Sequence, residues 1–145
     1  MADTYSKVLV HCVFSTKERR PCIPDPPSLW SYVRGVARNL GVDAVAVGGT
    51  DNHVHLLLRI PPTVTVAGVI RAVKANSSRH LREQGLRFAW QDGYSAISVS
   101  PSQVRPVANY VQRQPQHHAH RSFEDEYTGI LRKSAVAFDA QYVFG

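Results

Sequence analysis

The sequence predicts an α+β fold of the ferredoxin-like type: a split βαβ antiparallel sheet with helices on one face, followed by a C-terminal helix. Two observations predict it. Apolar residues alternate with a period of two over four short stretches and recur at helical spacing over two longer stretches between them. The resulting order is strand, helix, strand, strand, helix, strand. We expect a single domain over residues 1–145, with a core in 1–100 and the helical C-terminal part in 101–145.

The composition indicates a globular protein with a basic surface. The chain has 145 residues, of which 43% are hydrophobic and 19% charged, enough for a core without disulfide or metal support. A net charge of +6 favours a polyanionic partner, nucleic acid before membrane. The two cysteines form no CxxC pair, and no stretch has the length of a membrane span or the layout of a signal peptide. We therefore expect a cytoplasmic protein.

The first half of the chain contains three predicted strands and one predicted helix. Residues 7–15 alternate as a strand, and residues 16–27 form a loop broken by four prolines. Ser28 caps a helix that extends to about residue 40 and stops at Gly41. Residues 42–47 form a second strand, which a Gly48-Gly49 turn joins to the third strand as a hairpin.

The third strand, residues 53–60, has two chemically different faces. One face is wholly apolar and suited to burial under helices: Val54, Leu56, Leu58 and Ile60. The other carries His53 and His55 side by side, so that both imidazoles can reach one metal ion. His11 of the first strand lies on the same type of face, as a surface or supporting histidine. In the predicted fold these imidazoles point to an open face of the sheet; the alternative is that they are ordinary polar residues of a half-exposed strand.

The second half predicts a long helix, a fourth strand and two C-terminal helices. A threonine at 63 or 65 caps a helix that reaches about residue 84, and an aromatic turn at 88–94 leads into a strand at 95–99. Ser100 and Gln103 predict a capping box, and the helix that follows places Tyr110 and Gln114 on one face. The last helix, 122–133, has an acidic first turn, as the helix dipole favours.

Together the two histidines, Gln114 and Tyr110 predict a metal-assisted nucleophile. Two imidazoles need at least one more ligand, and an oxygen ligand such as the Gln114 carbonyl suits Mg²⁺ or Mn²⁺. A phenol with a pKa of about 10 attacks poorly unless its surroundings favour deprotonation. Alternatively, Tyr110 is a half-buried anchor and Gln114 a solvated residue. A Zn²⁺ site of His117, His118 and His120 is a further alternative, which the divergence of adjacent helical histidines disfavours.

The sequence resembles the single-tyrosine HUH transposases, enzymes of bacterial and archaeal insertion sequences that move as single-stranded DNA. The resemblance lies in five segments that follow the family order over nearly the whole chain: VHCVFSTKERRP, GGTDNHVHLLLRIPPT, VKANSSR, FAWQDGYSAISVSPSQV, and NYVQRQPQHH followed by SFEDEY. It implies that His53, His55 and Gln114 bind a divalent metal, Mg²⁺ or Mn²⁺, and that Tyr110 is the nucleophile.

The resemblance also implies a reaction and its partners. The tyrosine attacks a DNA phosphate, giving a 5′-phosphotyrosine link and a free 3′-OH, so that single strands are cleaved and rejoined without a nucleotide cofactor. Members of this family recognise DNA hairpins near element ends and usually act as homodimers. Basic residues are candidates for contact with the DNA backbone, with solvated surface charge as the alternative for each: Lys17, Arg19, Arg20, Arg71, Lys74, Arg79 and Arg82.

Two prolines depart from a straight tyrosine helix, and two other functions compete. Pro106 and Pro115 predict a bend or a hinge in that helix, or an inactive copy. A domesticated nicking enzyme has the same residues and serves something other than an insertion sequence. A non-catalytic nucleic-acid-binding module on this fold would present stacked aromatics on the sheet, whereas this sheet presents imidazoles.

Overall fold

The computed structural model describes residues 2–145, and within them the chain forms four strands and five α-helices. They follow in this order: β1 (Val8–Ser15), α1 (Pro26–Asn39), β2 (Asp43–Gly49), β3 (His53–Ile60), α2 (Val66–Glu83), β4 (Ser95–Val99), α3 (Val104–Gln112), α4 (Gln114–His117) and α5 (Phe123–Lys133). Short 3-10 helices lie at Lys17–Arg19 and Pro101–Gln103. None of the helices in the described residues is long and apolar enough to cross a membrane.

The four strands form one antiparallel sheet in the order β2-β3-β1-β4. The predicted α+β, ferredoxin-like architecture is confirmed. The central strands β1 and β3 pair along their whole length, from Val8 opposite Ile60 to Ser15 opposite His53. A bulge between Ala44 and Ala46 interrupts the pairing of β2 with β3. This register places His55 opposite Val13 and Leu57 opposite His11 at the centre of the sheet.

The main hydrophobic core lies between α1, α2 and one face of the sheet. Phe14, Leu56 and Leu58 are completely buried there. The helices contribute Leu29, Trp30, Val33, Val69, Ile70 and Val73 to the same cluster. Burial of a leucine side chain contributes about 1.5–3 kcal/mol, so this face supplies much of the stability of the fold.

The other face of the sheet is covered as well. Val111 of α3 packs on Leu57 and Ala46, and α5 packs on Val13. His53 and His55 are both 0% exposed. The expectation that these imidazoles lie on an open face was wrong, because α3 and α5 are amphipathic and bury their apolar stripes against the sheet.

The approach of α3 to β2 depends on a glycine. A Cβ atom at Gly48 would overlap the backbone carbonyl oxygen of Val111. The missing side chain at position 48 therefore lets the helix that carries Tyr110 dock directly on the sheet.

Two helices begin elsewhere than the sequence suggested. Asp25, not Ser28, caps α1: its carboxylate accepts a hydrogen bond from the Ser28 backbone N–H at 3.4 Å, and prolines occupy the first two helical positions. Ser100 starts a 3-10 helix and its side chain makes no capping bond, so α3 begins only at Val104. Pro106 thus falls in the first turn of α3, where its missing N–H has no intrahelical partner to lose.

Candidate active site

Five segments of the chain, α5 with Glu126 among them, place polar side chains around one point on the face of the sheet opposite the main core, which we call the imidazole face. β3 contributes His53 and His55, and β1 contributes His11. The end of α3 contributes Tyr110, and α4 begins with Gln114. The structure therefore brings the predicted nucleophile and the three predicted metal ligands together within one chain.

Gln114 reaches the histidines although it is not on the tyrosine helix. α3 ends at Gln112, and α4 begins at Gln114 with Pro115 in its first turn. The Gln114 side chain is completely buried, and its Oε1 lies 2.9 Å from His53 Nε2. Pro115 separates the two helices without removing Gln114 from the site, since proline is readily accommodated in a first turn.

Glu126 of α5 lies at the centre of the cluster, and the sequence analysis missed it. Its carboxylate accepts hydrogen bonds from the Tyr110 hydroxyl and from Gln114 Nε2 at 3.0 Å. It also lies 3.0 Å from His55 Nε2 and 2.9 Å from His118 Nε2. Within α5 it shares the buried stripe with Phe123, Tyr127 and Leu131. The signal in the sequence is a charged residue on an apolar helical stripe, which indicates a buried carboxylate. The helix dipole explains an acidic first turn equally well, so the sequence alone does not single out Glu126.

A second layer of polar groups fixes the orientation of the strand histidines. His53 Nδ1 lies 2.8 Å from Asn52 Oδ1 and 3.0 Å from Thr50 Oγ1. His55 Nδ1 lies 2.8 Å from His11 Nε2, so His11 has the supporting role. The Nε2 atoms of both strand histidines consequently point toward Gln114 and Glu126. Metal-binding histidines are usually oriented in this manner, through the ring nitrogen that does not bind the metal.

The surroundings of His53 do not suit a neutral imidazole alone. Both of its ring nitrogens face carbonyl oxygens, those of the Asn52 and Gln114 side chains. A neutral imidazole carries a single N–H, so it can donate to one of the two oxygens only. Burial lowers the pKa of His53 to about 3, which disfavours the doubly protonated ring. A cation between His53 Nε2 and Gln114 Oε1 would resolve this conflict.

The electrostatics of the site combine one carboxylate with neutral partners. Burial also lowers the pKa of His11 to about 3. Burial would raise the pKa of Glu126, but hydrogen bonds from His118, His55 and Tyr110 hold that pKa well below its usual range. Burial, with the hydrogen bond to Glu126, raises the pKa of the Tyr110 phenol. At neutral pH the site therefore holds an ionised carboxylate, the neutral imidazoles of His11 and His53, and a protonated phenol.

The ligand atoms form two compact groups that share Glu126. His53, His55 and Glu126 each offer an atom within 4.8 Å of the others, and His117, His118 and Glu126 do so as well. His117 and His118 do not diverge as adjacent histidines on a helix would, because α4 ends at His117 and the chain turns immediately after it. His120, the third member of the alternative zinc set, is exposed and belongs to neither group.

The predicted DNA-contacting residues flank the aromatic turn that precedes β4. Arg71, Lys74 and Arg82 line a cavity of about 470 Å³ with Trp90 and Tyr94. Lys17 and Arg19 line a second cavity of about 470 Å³, and both cavities are bounded by residues 90–92.

Several of these basic residues also make contacts within the protein. Lys74 Nζ donates to the carbonyl oxygens of Gln91 and Gly93, each at 2.8 Å, and burial lowers its pKa to about 8. Arg19 pairs with Glu124 at 2.8 Å, and Arg20 pairs with Glu18 at 2.7 Å. Arg71 and Arg79 are exposed on α2. The structure thus places six of the seven around the turn or on the adjoining loop, with Arg79 outside both cavities.

Comparison with known proteins identifies a family for this chain. A family model described as "Transposase IS200 like" matches residues 4–114, which include both strand histidines, Tyr110 and Gln114 but not Glu126. A search of the curated proteins found no match.

Two solved structures share the fold. One is a protein of Deinococcus radiodurans R1 described as a candidate transposase, with a TM-score of 0.60 and 24% identity over 79% of this chain and 95% of its own. The other is a REP-associated tyrosine transposase bound to a REP hairpin, with a TM-score of 0.62 and 17% identity over 81% of this chain and 73% of its own. Because the family model spans well over half of the sequence, the chain belongs to the IS200-like transposase family.

Proposed function

We propose that this protein is a metal-dependent transposase that cleaves and rejoins single-stranded DNA at insertion-sequence ends through a 5′-phosphotyrosine at Tyr110. One observation carries the proposal: the Tyr110 hydroxyl bonds to the Glu126 carboxylate, which is also in contact with His55 and Gln114, while Gln114 in turn contacts His53. Membership of the IS200-like family supports the same reaction class.

A divalent cation fits the donor set of the imidazole face. His53, His55 and Gln114 would hold it through two imidazole nitrogens and an amide oxygen, with Glu126 as an adjacent carboxylate. The position of His53 supports this fit, because both of its ring nitrogens face oxygens while a neutral ring can donate to one of them only. Mixed nitrogen and oxygen donors suit Mn²⁺. Mg²⁺ prefers oxygen donors, which Gln114 and Glu126 supply, so both ions are candidates. When bound, such an ion polarises the phosphodiester and stabilises the negative charge that develops on it.

The Tyr110 phenol needs a proton acceptor, and Glu126 is positioned as one. The phenolic oxygen forms a bond to phosphorus while its proton passes to the Glu126 carboxylate, which already accepts the hydrogen bond. The bond from phosphorus to the 3′ oxygen breaks, and that oxygen takes a proton from water and leaves as a hydroxyl. The phosphotyrosine retains the energy of the phosphodiester, so a 3′-OH can reverse the step without a nucleotide cofactor.

The basic residues around the aromatic turn would bind the DNA. Arg71, Arg79 and Arg82 of α2, Lys74 beside them, and Lys17, Arg19 and Arg20 of the loop after β1 are the proposed phosphate contacts. The REP-associated relative was solved with a hairpin, which supports a hairpin substrate here.

We also propose a homodimer, because β4 is an edge strand whose residues Ala96 and Ser98 are exposed. Light scattering at micromolar concentration should report about twice the chain mass of 16.1 kDa. A monomer that nonetheless cleaves DNA would rule the dimer out as a requirement.

The test of the reaction uses end-labelled single-stranded DNA from the flanks of the gene, incubated with Mn²⁺. A 5′-phosphotyrosine retains the 3′ part of the strand, so a 3′ label should move to the protein while a 5′ label is released. Tyr110→Phe removes the phenolic oxygen alone and should abolish the adduct, whereas hairpin affinity should change by on the order of 1 kcal/mol at most.

The matched control is Tyr94→Phe, which changes a partly exposed tyrosine in the aromatic turn and should leave the adduct intact. An adduct formed by the Tyr110→Phe protein would mean that another residue is the nucleophile.

A further inference from the structure

The second histidine pair on the imidazole face, His117 and His118, has no role in the reaction proposed above. We propose that His117, His118 and Glu126 form a second divalent-metal site that takes a transition-metal ion of the Zn²⁺ type. This site lies beside the group of His53, His55 and Glu126 and shares the Glu126 carboxylate with it. It stands on its own geometry and does not depend on the reaction proposed for Tyr110.

The spacing of the three ligand atoms fits such an ion. His118 Nε2 lies 2.9 Å from Glu126 Oε1, and His117 Nε2 lies 3.4 Å from Oε2. Ligand atoms bound tetrahedrally to Zn²⁺ lie roughly 3.3–3.6 Å from one another. One ligand atom of each of the three residues lies within 4.8 Å of the other two, which is close enough for the three to converge on one ion. Two imidazoles and a carboxylate leave a fourth position free, which is the usual layout of a catalytic rather than a structural zinc site.

His117 gives an independent reason to expect a ligand here. Its Nε2 atom is buried and has no hydrogen-bond partner among residues 2–145, although it lies close to Glu126 Oε2. Buried polar atoms are nearly always paired, because an unpaired one has lost its contact with water without compensation. A cation between His117 and Glu126 would give this nitrogen its missing partner.

The charge of Glu126 points the same way. Its side chain is completely buried, and within the described part of the chain the basic groups in ion-pair range of it are all histidines. A buried carboxylate needs positive charge or hydrogen-bond donors around it, and a bound cation supplies positive charge at this position.

The two groups of ligand atoms share the carboxylate but no imidazole. One pair of histidines comes from β3 and the other from the end of α4, so the two pairs approach Glu126 on separate elements. A carboxylate has two oxygens and can bridge two ions about 3.5–4 Å apart, as in two-metal phosphoryl-transfer sites.

The experiment measures how many ions the full chain binds. Protein stripped with EDTA is titrated with Zn²⁺ alone by calorimetry, and bound zinc is counted by mass spectrometry after desalting. We expect two ions for the unaltered protein, one after His117→Ala with His118→Ala, and one after His53→Ala with His55→Ala. His120→Ala, an exposed histidine of the same segment, should still bind two.

The outcomes separate this site from the first one. One ion that is lost only with the α4 pair keeps the second site and removes the first. One ion that is lost only with the β3 pair overturns the second site. One ion that is lost with either pair also overturns it, because a single ion would then use both pairs, and no bound ion overturns both sites.

Two further measurements cover variants that fail to fold. Circular dichroism identifies such variants, and the His117→Gln, His118→Gln protein then replaces the alanine pair, since glutamine retains a donor toward Glu126. Zn²⁺-soaked crystals of the unaltered protein should show two anomalous peaks, one on each histidine pair. A single peak on the β3 pair would contradict the proposal whatever the variants do.

Discussion

The central residues on the two faces of β3 are equally buried and are held in place by different forces. Leu56 and Leu58 on one face and His53 and His55 on the other are all 0% exposed. The apolar face packs through contacts that depend little on direction, whereas each atom of the imidazole face needs a partner of the right kind at the right distance. Burial alone therefore does not separate a structural face from a chemical one; the partners of each buried atom do.

The difference predicts how each face responds to substitution. Apolar burial stabilises the folded state in proportion to area, whereas a buried polar cluster contributes little net stability even when every member is paired. We expect changes on the apolar face to unfold the protein and changes on the imidazole face to disable it while it remains folded.

The largest expected effect is on the apolar face. Leu56→Ala should lower the free energy of unfolding by about 2–5 kcal/mol, because the core closes only partly around the cavity. Urea denaturation followed by circular dichroism measures this. Val8→Ala is the control, since Val8 points to the same side of the sheet but is 48% exposed. A loss below about 1 kcal/mol for Leu56→Ala would mean that this face is not the main source of stability.

On the imidazole face, Glu126→Gln should weaken Mn²⁺ binding by about 10–100-fold, the usual cost of changing a group that supports a metal site. The amide still accepts the Tyr110 hydrogen bond, so the protein should remain folded at neutral pH. Isothermal calorimetry measures the affinity. The control is Glu124→Gln, which changes a partly buried acid two residues before Glu126. Glu124 pairs with Arg19, so this variant should bind Mn²⁺ normally. Equal affinities for both variants would remove Glu126 from the metal site.

The pH dependence of stability should come largely from the imidazole face. The pKa of His11 falls from 6.5 to about 3 on burial, so between these values the unfolded chain binds more protons than the folded one. Folded-state stability is therefore lost as the pH falls through this window. His11→Gln should remove about 1–2 kcal/mol of the loss between pH 7 and pH 5.

Urea unfolding of metal-free protein at several pH values tests this expectation for His11→Gln. His120→Gln changes an exposed histidine, so its free energy of unfolding should depend on pH as that of the unaltered protein does. Parallel curves for the unaltered and His11→Gln proteins would show that another group accounts for the acid sensitivity.

The smallest effect is expected on the outer side of α2, which faces solvent rather than either face of β3. Arg71→Gln should change the free energy of unfolding by less than about 0.5 kcal/mol. It should also lower the slope of log hairpin affinity against log salt concentration by about one, which corresponds to one fewer released counterion. Fluorescence anisotropy at several salt concentrations measures this slope. Arg38→Gln on α1 removes an exposed charge away from the aromatic turn and should leave the slope unchanged.

Much of the apolar face could be predicted from the sequence, because its signals are local. The alternation in residues 53–60 fixed the bounds of β3, and β4 was likewise found at 95–99. The paired positions of Tyr110 and Gln114 were also visible, although the structure divides them between two helices.

The closure of the imidazole face could not be predicted in this way. It depends on α5 folding back so that Glu126 meets His55, a contact between residues 71 positions apart. No local periodicity encodes such a contact. The acid on the buried stripe of α5 indicated that something polar lay opposite it, but not which strand.

The close approach of β2 and α3 makes the proposed reaction depend on Gly48, a residue that takes no part in the chemistry. Val111 follows Tyr110 directly, so a side chain at Gly48 would push the tyrosine away from the histidines. A displacement of about 1 Å at a reacting atom can cost about 100-fold in rate. A Gly48→Ala variant would therefore keep every residue of the proposed reaction and still lose most of its rate. Intact reacting side chains alone do not identify an active member of this family.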